Sequence, residues 1–323
     1  MSTKKHIGIS LITTERNEAA DIAVFIESAL NQSLKPDEII IADGGSTDGT
    51  VEIINRYIKE GAPITLVHAP GNRSVGRNAA TAAAKNEHIA VTDVGSRLDK
   101  DWLKNITQPF RDNPDAMAVS GNFEAEPKTF FEKVSAALML SPNDNIDLET
   151  WLPSSRSIAY TKTAWKRAGK YPEHTNFNED TPFDLALKAA GYKFEDGLKA
   201  VVYWRPRPNL REFYKQYYYY AIGDGIDSIN ITHFVRLTIK YFLVFSIAAV
   251  SLFVYPLLIV LPAAYYGAGL YRRIAKSARQ MKDFRATSLM ALLVFVYDLS
   301  QILGYWKGYF QREKLSGSKK LVR

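Results

Sequence analysis

Three aspartates stand where apolar runs give out. Asp43 closes IIIAD and leads into GGSTDG, which adds Asp48, and Asp93 closes HIAVTD. A carboxylate so placed can accept hydroxyl hydrogens, hold a hard cation through oxygen, or take up a proton. Two arginines, Arg73 and Arg77, follow in GNRSVGRNAA, and their planar guanidinium forks match phosphate oxygens. Further on, FNEDTPF carries Glu179 and Asp180 at the start of a helical pattern. On its own, such an acidic pair need only complement a helix dipole. GGSTDG on its own is equally a tight turn with a helix cap, for which Ser46 and Thr47 are candidates.

The elements that must position these residues alternate. HIGISLITT, DEIIIAD, PITLVHA and HIAVTD read as strands, and 17–31, 47–60 and 74–85 as helices between them. That order predicts an α/β fold with a mainly parallel central sheet and helices on both faces. Ligands bind such sheets beyond the carboxyl ends of the strands, where the aspartates fall, and a following helix N-terminus attracts an anion. No G-x-G-x-x-G follows the first strand, so a nicotinamide dehydrogenase is not the reading.

With no cysteine the core relies on neither disulfides nor thiolate metals, which fits a reducing, cytoplasmic setting. MSTKKHIGIS holds no apolar run long enough for a secretory signal, so the N-terminal region is expected in the cytoplasm. The net charge of +7 could suit nucleic acid, but the basic residues crowd toward the C-terminal part and flank apolar runs. No nucleic-acid partner is expected; a membrane is. Residues 241–271 carry no charge, and 286–306 carry only Asp298, lengths that reach the roughly 20 residues needed for hydrocarbon. As one helix the first run would measure about 46 Å, too long for an upright crossing. Pro256, Pro262 and the basic RRIAKSARQMKDFR favour a tight hairpin. The second run, with Asp298 and Gln301 at its middle, is a span packed on protein, a re-entrant segment or an interfacial helix. Before both, NLREFYKQYYYYAIGDG sets Leu210, Phe213, Tyr214, Tyr217 and Ala221 on one helical face, as an interfacial helix or a tyrosine-rich core helix would.

Six motifs in order carry a resemblance: TTERNE, DGGSTDGT, GNRSVGRNAA, TDVGSRLDKDWL, SSRSIAYTKTAWKRAGKYPE and NEDTPFDLALKAAGY. Over about residues 5–225 the chain resembles the family 2 glycosyltransferases, inverting enzymes of the GT-A fold, and in particular their membrane-associated members. The resemblance implies a nucleotide-diphosphate sugar as donor, UDP-sugar favoured and GDP-sugar possible. It gives Asp43 the nucleotide base, with Thr13, Glu15, Gly45 and Ser46 as neighbours and Arg73 and Arg77 close to the nucleotide. Asp93 matches the first acid of the family's Asp-x-Asp, but Gly95 replaces the second. The implied divalent cation, Mg²⁺ or Mn²⁺, would therefore rest on Asp93 and take the rest of its shell from phosphate and water. Asp180 matches the catalytic base and Glu179 a supporting residue, while Trp204 and Gln216 match the acceptor side. Processive synthases carry Q-x-x-R-W where this chain has QYYYY, which favours single addition.

The expected organisation is a cytoplasmic GT-A domain over 1–208, an interfacial region over 209–232, membrane-embedded helices over 233–310 and a basic tail over 311–323. The expected function is sugar transfer to a lipid-linked or polyprenyl-phosphate acceptor at the cytoplasmic face of the plasma membrane, in cell-surface polysaccharide synthesis. The alternatives are a processive synthase and a non-catalytic scaffold that keeps the fold.

Overall fold

The structure, a computed structural model, describes residues 7–140, 146–253 and 255–320. The first six residues of the expected cytoplasmic start and residues 321–323 of the basic tail lie outside them. The chain divides into two units: 7–126 with 146–205, and 127–140 with 206–320.

The first unit opens with β1 (Ile9–Glu15), α1 (Ile22–Leu30), β2 (Glu38–Asp43), α2 (Thr50–Lys59), β3 (Ile64–His68), α3 (Arg73–Ala83) and β4 (His88–Val91). These four strands run parallel in the order β3-β2-β1-β4. Every residue of β2 is buried, because both faces are covered. Ile39 and Ile41 enter one core with Phe25, Ile26 and Trp102, while Ile40 and Ala42 enter the other with Ile89, Tyr160 and Phe183. The expected alternation thus becomes a sheet with helices on both sides.

After β4 come β5 (Ser96–Leu98), α4 (Trp102–Asp112), β6 (Ala118–Ala125), α5 (Phe130–Met139), β7 (Ile158–Thr161), α6 (Lys162–Arg167), α7 (Asp180–Ala189) and β8 (Phe194–Trp204). β7 pairs antiparallel with β4 and β6, β6 runs parallel to β8, and β5 closes the eight-stranded sheet antiparallel to β8.

The second unit holds α5, α8 (Leu210–Asp227), α9 (Ile231–Phe253), a short 3₁₀ turn at Pro256–Ile259, α10 (Val260–Met281) and α11 (Phe284–Lys320). Val134 of α5, Phe213 of α8, Ile274 of α10 and Met290, Leu293 and Val294 of α11 form its main core. α8 and α11 cross at close range through small residues. A Cβ on Gly225 would stand 2.1 Å from the Tyr305 carbonyl, and one on Gly308 would stand 2.1 Å from that of Ile222. Small residues four apart on each helix, Ala221 and Gly225, Gly304 and Gly308, permit this approach. Two helices, over Ile231–Ser251 and Phe284–Arg312, are long and apolar enough to cross a membrane by length and composition. The two polar residues at the middle of α11 have partners. Asp298 accepts from Arg273 Nη1 at 2.6 Å and Tyr241 Oη at 2.8 Å, and Gln301 Nε2 donates to the Tyr217 carbonyl at 3.1 Å.

Candidate functional site

The loop after β2 is laced to the loop after β1. Parallel pairing sets Glu15 opposite Asp43, so two acids meet at the carboxyl ends of adjacent strands. The Ser46 amide donates to Asp43 Oδ1 at 2.9 Å and its hydroxyl to Glu15 Oε2 at 2.9 Å. Asn17 closes the lace, its amide donating to Ser46 Oγ and its Oδ1 accepting from the Thr47 amide. Gly45 holds φ at 93° with open space where a side chain would be, a conformation glycine adopts without strain.

The cap expected from Ser46 and Thr47 is not formed. α2 begins three residues later, behind Gly49 at φ 94° and with no side-chain cap. Asp48 accepts instead from the Thr50 amide and hydroxyl. The hydroxyl of Ser46 is held by the β1 loop and is not available to the helix.

Burial, and then the hydrogen bond shared with Asp43, push the Glu15 carboxyl up to about 8. Asp43 moves the other way: burial opposes its ionisation, but the Ser46 hydroxyl and amide, Glu15 and His68 hold it below the usual range. One acid of the pair is neutral and the other charged at neutral pH. A cavity of about 560 Å³ opens here, lined by Thr14, Glu15, Arg16, Gly44 and Arg73 among others.

α3 reaches the same place because Gly76 lies against the end of β1, where a Cβ would stand 1.9 Å from Thr14 Oγ1. Asn72 caps α3 by accepting from the Val75 amide, and its Nδ2 holds the Glu173 and Thr175 carbonyls. Asn78 does the same for Tyr171, accepting from its amide and donating to its carbonyl. The GNRSVGRN segment thereby ties the strand ends to the loop that precedes α7.

Arg77, next to Asn78, is only 2% exposed and bridges two acids. Its Nη2 donates to Asp93 Oδ1 at 2.7 Å and its Nη1 to Glu179 Oε1. Glu179 immediately precedes α7 and Asp180 opens it. Asp180 Oδ2 lies 3.5 Å from the Ser154 hydroxyl and 3.4 Å from the Ser155 amide. Burial and the neighbouring Glu179 raise the Asp180 carboxyl above its usual range, against the pull of Arg77 and Arg156. For Asp93 burial also pushes up, but Arg77, Arg156 and Arg73 outweigh it and keep that carboxyl ionised.

The twelve residues singled out in the sequence fall into three places. Thr13, Glu15 and Asp43 lie in the carboxyl halves of β1 and β2, Gly45 and Ser46 in the loop after β2, and Arg73 at the start of α3. Arg77, Asp93, Glu179 and Asp180 form the second cluster, and Trp204 joins it through Arg156, whose guanidinium lies 4.9 Å from the indole centroid. Gln216 is in the second unit, where its Oε1 accepts from Arg207 Nε at 3.2 Å.

Two residues of this neighbourhood escaped the sequence reading. Arg156 sits in SSRS as a lone basic residue before β7, and only the β4–β7 pairing brings it to Asp93 and Asp180. Asp184 is fully buried one turn along α7 from Asp180, and neither of its carboxyl oxygens has a partner among the described residues. Burial and Asp180 raise its carboxyl far above the usual range.

Several polar atoms around the two clusters are buried without a partner among the described residues: Thr13 Oγ1, Glu15 Oε1, Ser74 Oγ, Arg77 Nε and Thr92 Oγ1. Buried polar atoms are almost always paired, so a group of orphans marks a place for a ligand or water. No set of three or more His, Asp or Glu residues among those described could hold a metal ion. Asp93 keeps Oδ2 outside its ion pair, and a Cβ on Gly95 would meet nothing within 4 Å. The donor set therefore fits a cation that arrives with a ligand's own oxygens.

The profile of glycosyl transferase family 2 matches residues 10–174. The succinoglycan biosynthesis protein ExoA of Rhizobium meliloti is 27% identical over 64% of this chain and 66% of its own length. The O-antigen chain rhamnosyltransferase WbaN of Salmonella anatum is 28% identical over 61% of this chain and 66% of its own. The chain thus spans just under two thirds of these relatives. Among solved structures, a mannosyltransferase from Pyrobaculum calidifontis in complex with GDP-Man and Mn²⁺ superposes with a TM-score of 0.59 at 17% identity, covering 96% of this chain and 89% of that one. S. aureus TarS gives a TM-score of 0.50 at 16% identity, over 94% and 55%. These two likenesses establish a shared GT-A fold.

Proposed function

The chain belongs to glycosyl transferase family 2, and from that premise we propose that it transfers a sugar from a nucleotide-diphosphate donor to an acceptor hydroxyl with inversion. The observation that carries this reading is the Arg77 bridge, which gathers Asp93 and Glu179 beside Asp180. In this reading Asp43, neutral Glu15 and the orphaned Thr13 hydroxyl receive the nucleotide, with Gly45 and Ser46 shaping the turn that contacts it. Arg73 and Arg77 supply positive charge toward the diphosphate, and Arg156 joins them.

Asp180 is the base. One displacement that inverts the anomeric centre needs a single group to take the acceptor proton, and a carboxyl raised by burial is a better base than a solvated one. Glu179 holds Arg77 in place, and Trp204 and Gln216 belong to the acceptor side. A divalent cation, Mg²⁺ or Mn²⁺, would be held by Asp93 and would offset charge on the departing diphosphate. The mannosyltransferase with GDP-Man and Mn²⁺ supports that part and keeps GDP-sugars beside UDP-sugars as donors.

The acceptor we propose is a lipid-linked sugar or polyprenyl phosphate, met at the cytoplasmic face of the cell membrane. The apolar helices of the second unit support it, as do relatives named for succinoglycan and O-antigen synthesis. A donor screen by thermal shift in detergent tests the reading, followed by mass spectrometry of lipid extracts incubated with the best donor. One nucleotide sugar should stabilise the protein, less so after Asp43→Ala, and its sugar should appear on a lipid. If no donor is bound, or the donor is bound and no sugar moves with or without Mg²⁺ or Mn²⁺, the transfer reading is wrong.

A further inference from the structure

The uncharged stretch 241–271 doubles back on itself. The Tyr241 and Tyr266 rings lie 6.0 Å apart, and Lys240 Nζ is 3.8 Å from where a Cβ would stand on Gly269. α9 and α10 are therefore antiparallel arms, joined at the turn Pro256–Ile259. The uncharged part of each arm is about a dozen residues, roughly 18 to 20 Å at ~1.5 Å per residue. That is well short of the ~30 Å of a bilayer's hydrocarbon.

The closed end of the hairpin is apolar and bare. Phe253 is 89% exposed, Leu257 67% and Leu261 64%, more large apolar surface than water tolerates on an isolated turn. The open end is basic on both arms, with Arg236 and Lys240 on α9 and Arg272, Arg273, Lys276 and Arg279 on α10. Apolar tip and cationic base match a leaflet's acyl chains and its anionic headgroups.

α11 meets the hairpin at that same open end. Asp298 takes Arg273 and Tyr241, Trp306 Nε1 donates to Thr238 Oγ1 at 2.8 Å, and the Tyr305 ring stacks on Phe234 at 3.9 Å. Its exposed Leu292, Leu299, Leu303 and Phe310 recur every three to four residues or a multiple of that, along one side of the helix. Length alone would let α9 and α11 cross a membrane. A crossing α9 would carry Lys240, which has no carboxylate partner among the described residues, into hydrocarbon. A crossing α11 would put the Asp298–Arg273 pair there too.

We propose that the second unit is monotopic: the α9–α10 hairpin dips into one leaflet, α11 lies at headgroup level, and no helix crosses. The occupant of the bare tip is lipid. This rests on the membrane association proposed above, but it makes no use of sugar transfer, so loss of either reading leaves the other testable.

Because the chain has no cysteine, single cysteines report without background. Asn230→Cys, Lys282→Cys, Gln311→Cys and Leu257→Cys, each in the full chain in sealed membrane vesicles of either orientation, would be treated with an impermeant maleimide. Asn230, Lys282 and Gln311 should label from one and the same side. Leu257 should stay unlabelled from both sides until detergent is added, which also shows that its thiol can react. Val260→Cys repeats that arm should Leu257→Cys fail to fold. Labelling of Lys282 or Gln311 from the side opposite Asn230 overturns the proposal, as does labelling of Leu257 in intact vesicles. Leu257–Leu257 cross-linking between chains would also overturn it, by making a second copy the occupant.

Discussion

Both units set an aspartate against an arginine with one partner of the pair buried, Arg77 in the first unit and Asp298 in the second, and the two pairs are finished differently. In the second unit both Asp298 oxygens are taken, by Arg273 and by the Tyr241 hydroxyl. In the first unit Arg77 holds Asp93 and Glu179, yet among the described residues its own Nε has no partner, and neither do buried atoms of Thr13, Glu15, Ser74 and Thr92. A buried ion pair is weak evidence of either stability or function by itself. What separates these two is the hydrogen-bonding capacity left over: the closed network joins three helices, and the open one keeps capacity that the proposed donor would use.

The largest expected effect breaks the open network at its centre. Arg77→Met leaves Glu179 buried and Asp93 partly buried without their cation, and should destabilise the first unit by about 3 to 5 kcal/mol. The lower end is expected because the Asp93 side chain is 30% exposed and can hydrate. Chemical denaturation measures it, and a loss below about 1 kcal/mol would mean the bridge is not what gathers these acids.

Asp298→Asn should cost less, about 1 to 2 kcal/mol. The amide still accepts from Tyr241, and Arg273, 37% exposed, can turn to water. Thermal unfolding in detergent reads the loss, with donor affinity unchanged. If Asp298→Asn weakened donor binding more than stability, the contrast between closed and open networks would fail.

The smallest effect sharpens the picture of the strand-end pair. Glu15 has its carboxyl raised from 4.5 to about 8 in the folded protein. The folded state then binds a proton the unfolded state gives up, so this contribution is full below pH ~4.5 and is lost as pH rises through ~8. Glu15→Gln, which keeps the side chain neutral, should change stability little at low pH and flatten the fall of Tm across that window. An unchanged slope would mean Glu15 is ionised beside Asp43.

Much of the first unit was legible because its strands are short apolar runs that end in acids or glycines. Ile39, Ile40 and Ile41 require a strand covered on both faces, and Asp43 marks where that strand ends, itself buried opposite Glu15 and against the Ser46 turn. Less legible were features that depend on distant pairing. Arg156 joins the site only through β7, and α5, an ordinary amphipathic helix by its residues, belongs to the unit formed by chain some seventy residues and more beyond it. The misplaced cap at Ser46 and Thr47 has a local cause: two glycines at positive φ let the loop reach across to β1 before the helix begins. The uncharged run 241–271 was legible as too long to cross once, because length against hydrocarbon thickness is arithmetic.

The measurement that bears most directly on the account is the transfer rate of Asp180→Asn, taken with donor affinity on the same preparation. Removing the base should slow transfer by about 10²- to 10⁴-fold, while the donor binds nearly as it does to the unmodified protein. Turnover largely retained at normal donor affinity would contradict the assignment of Asp180 and the reading of the open network built around it.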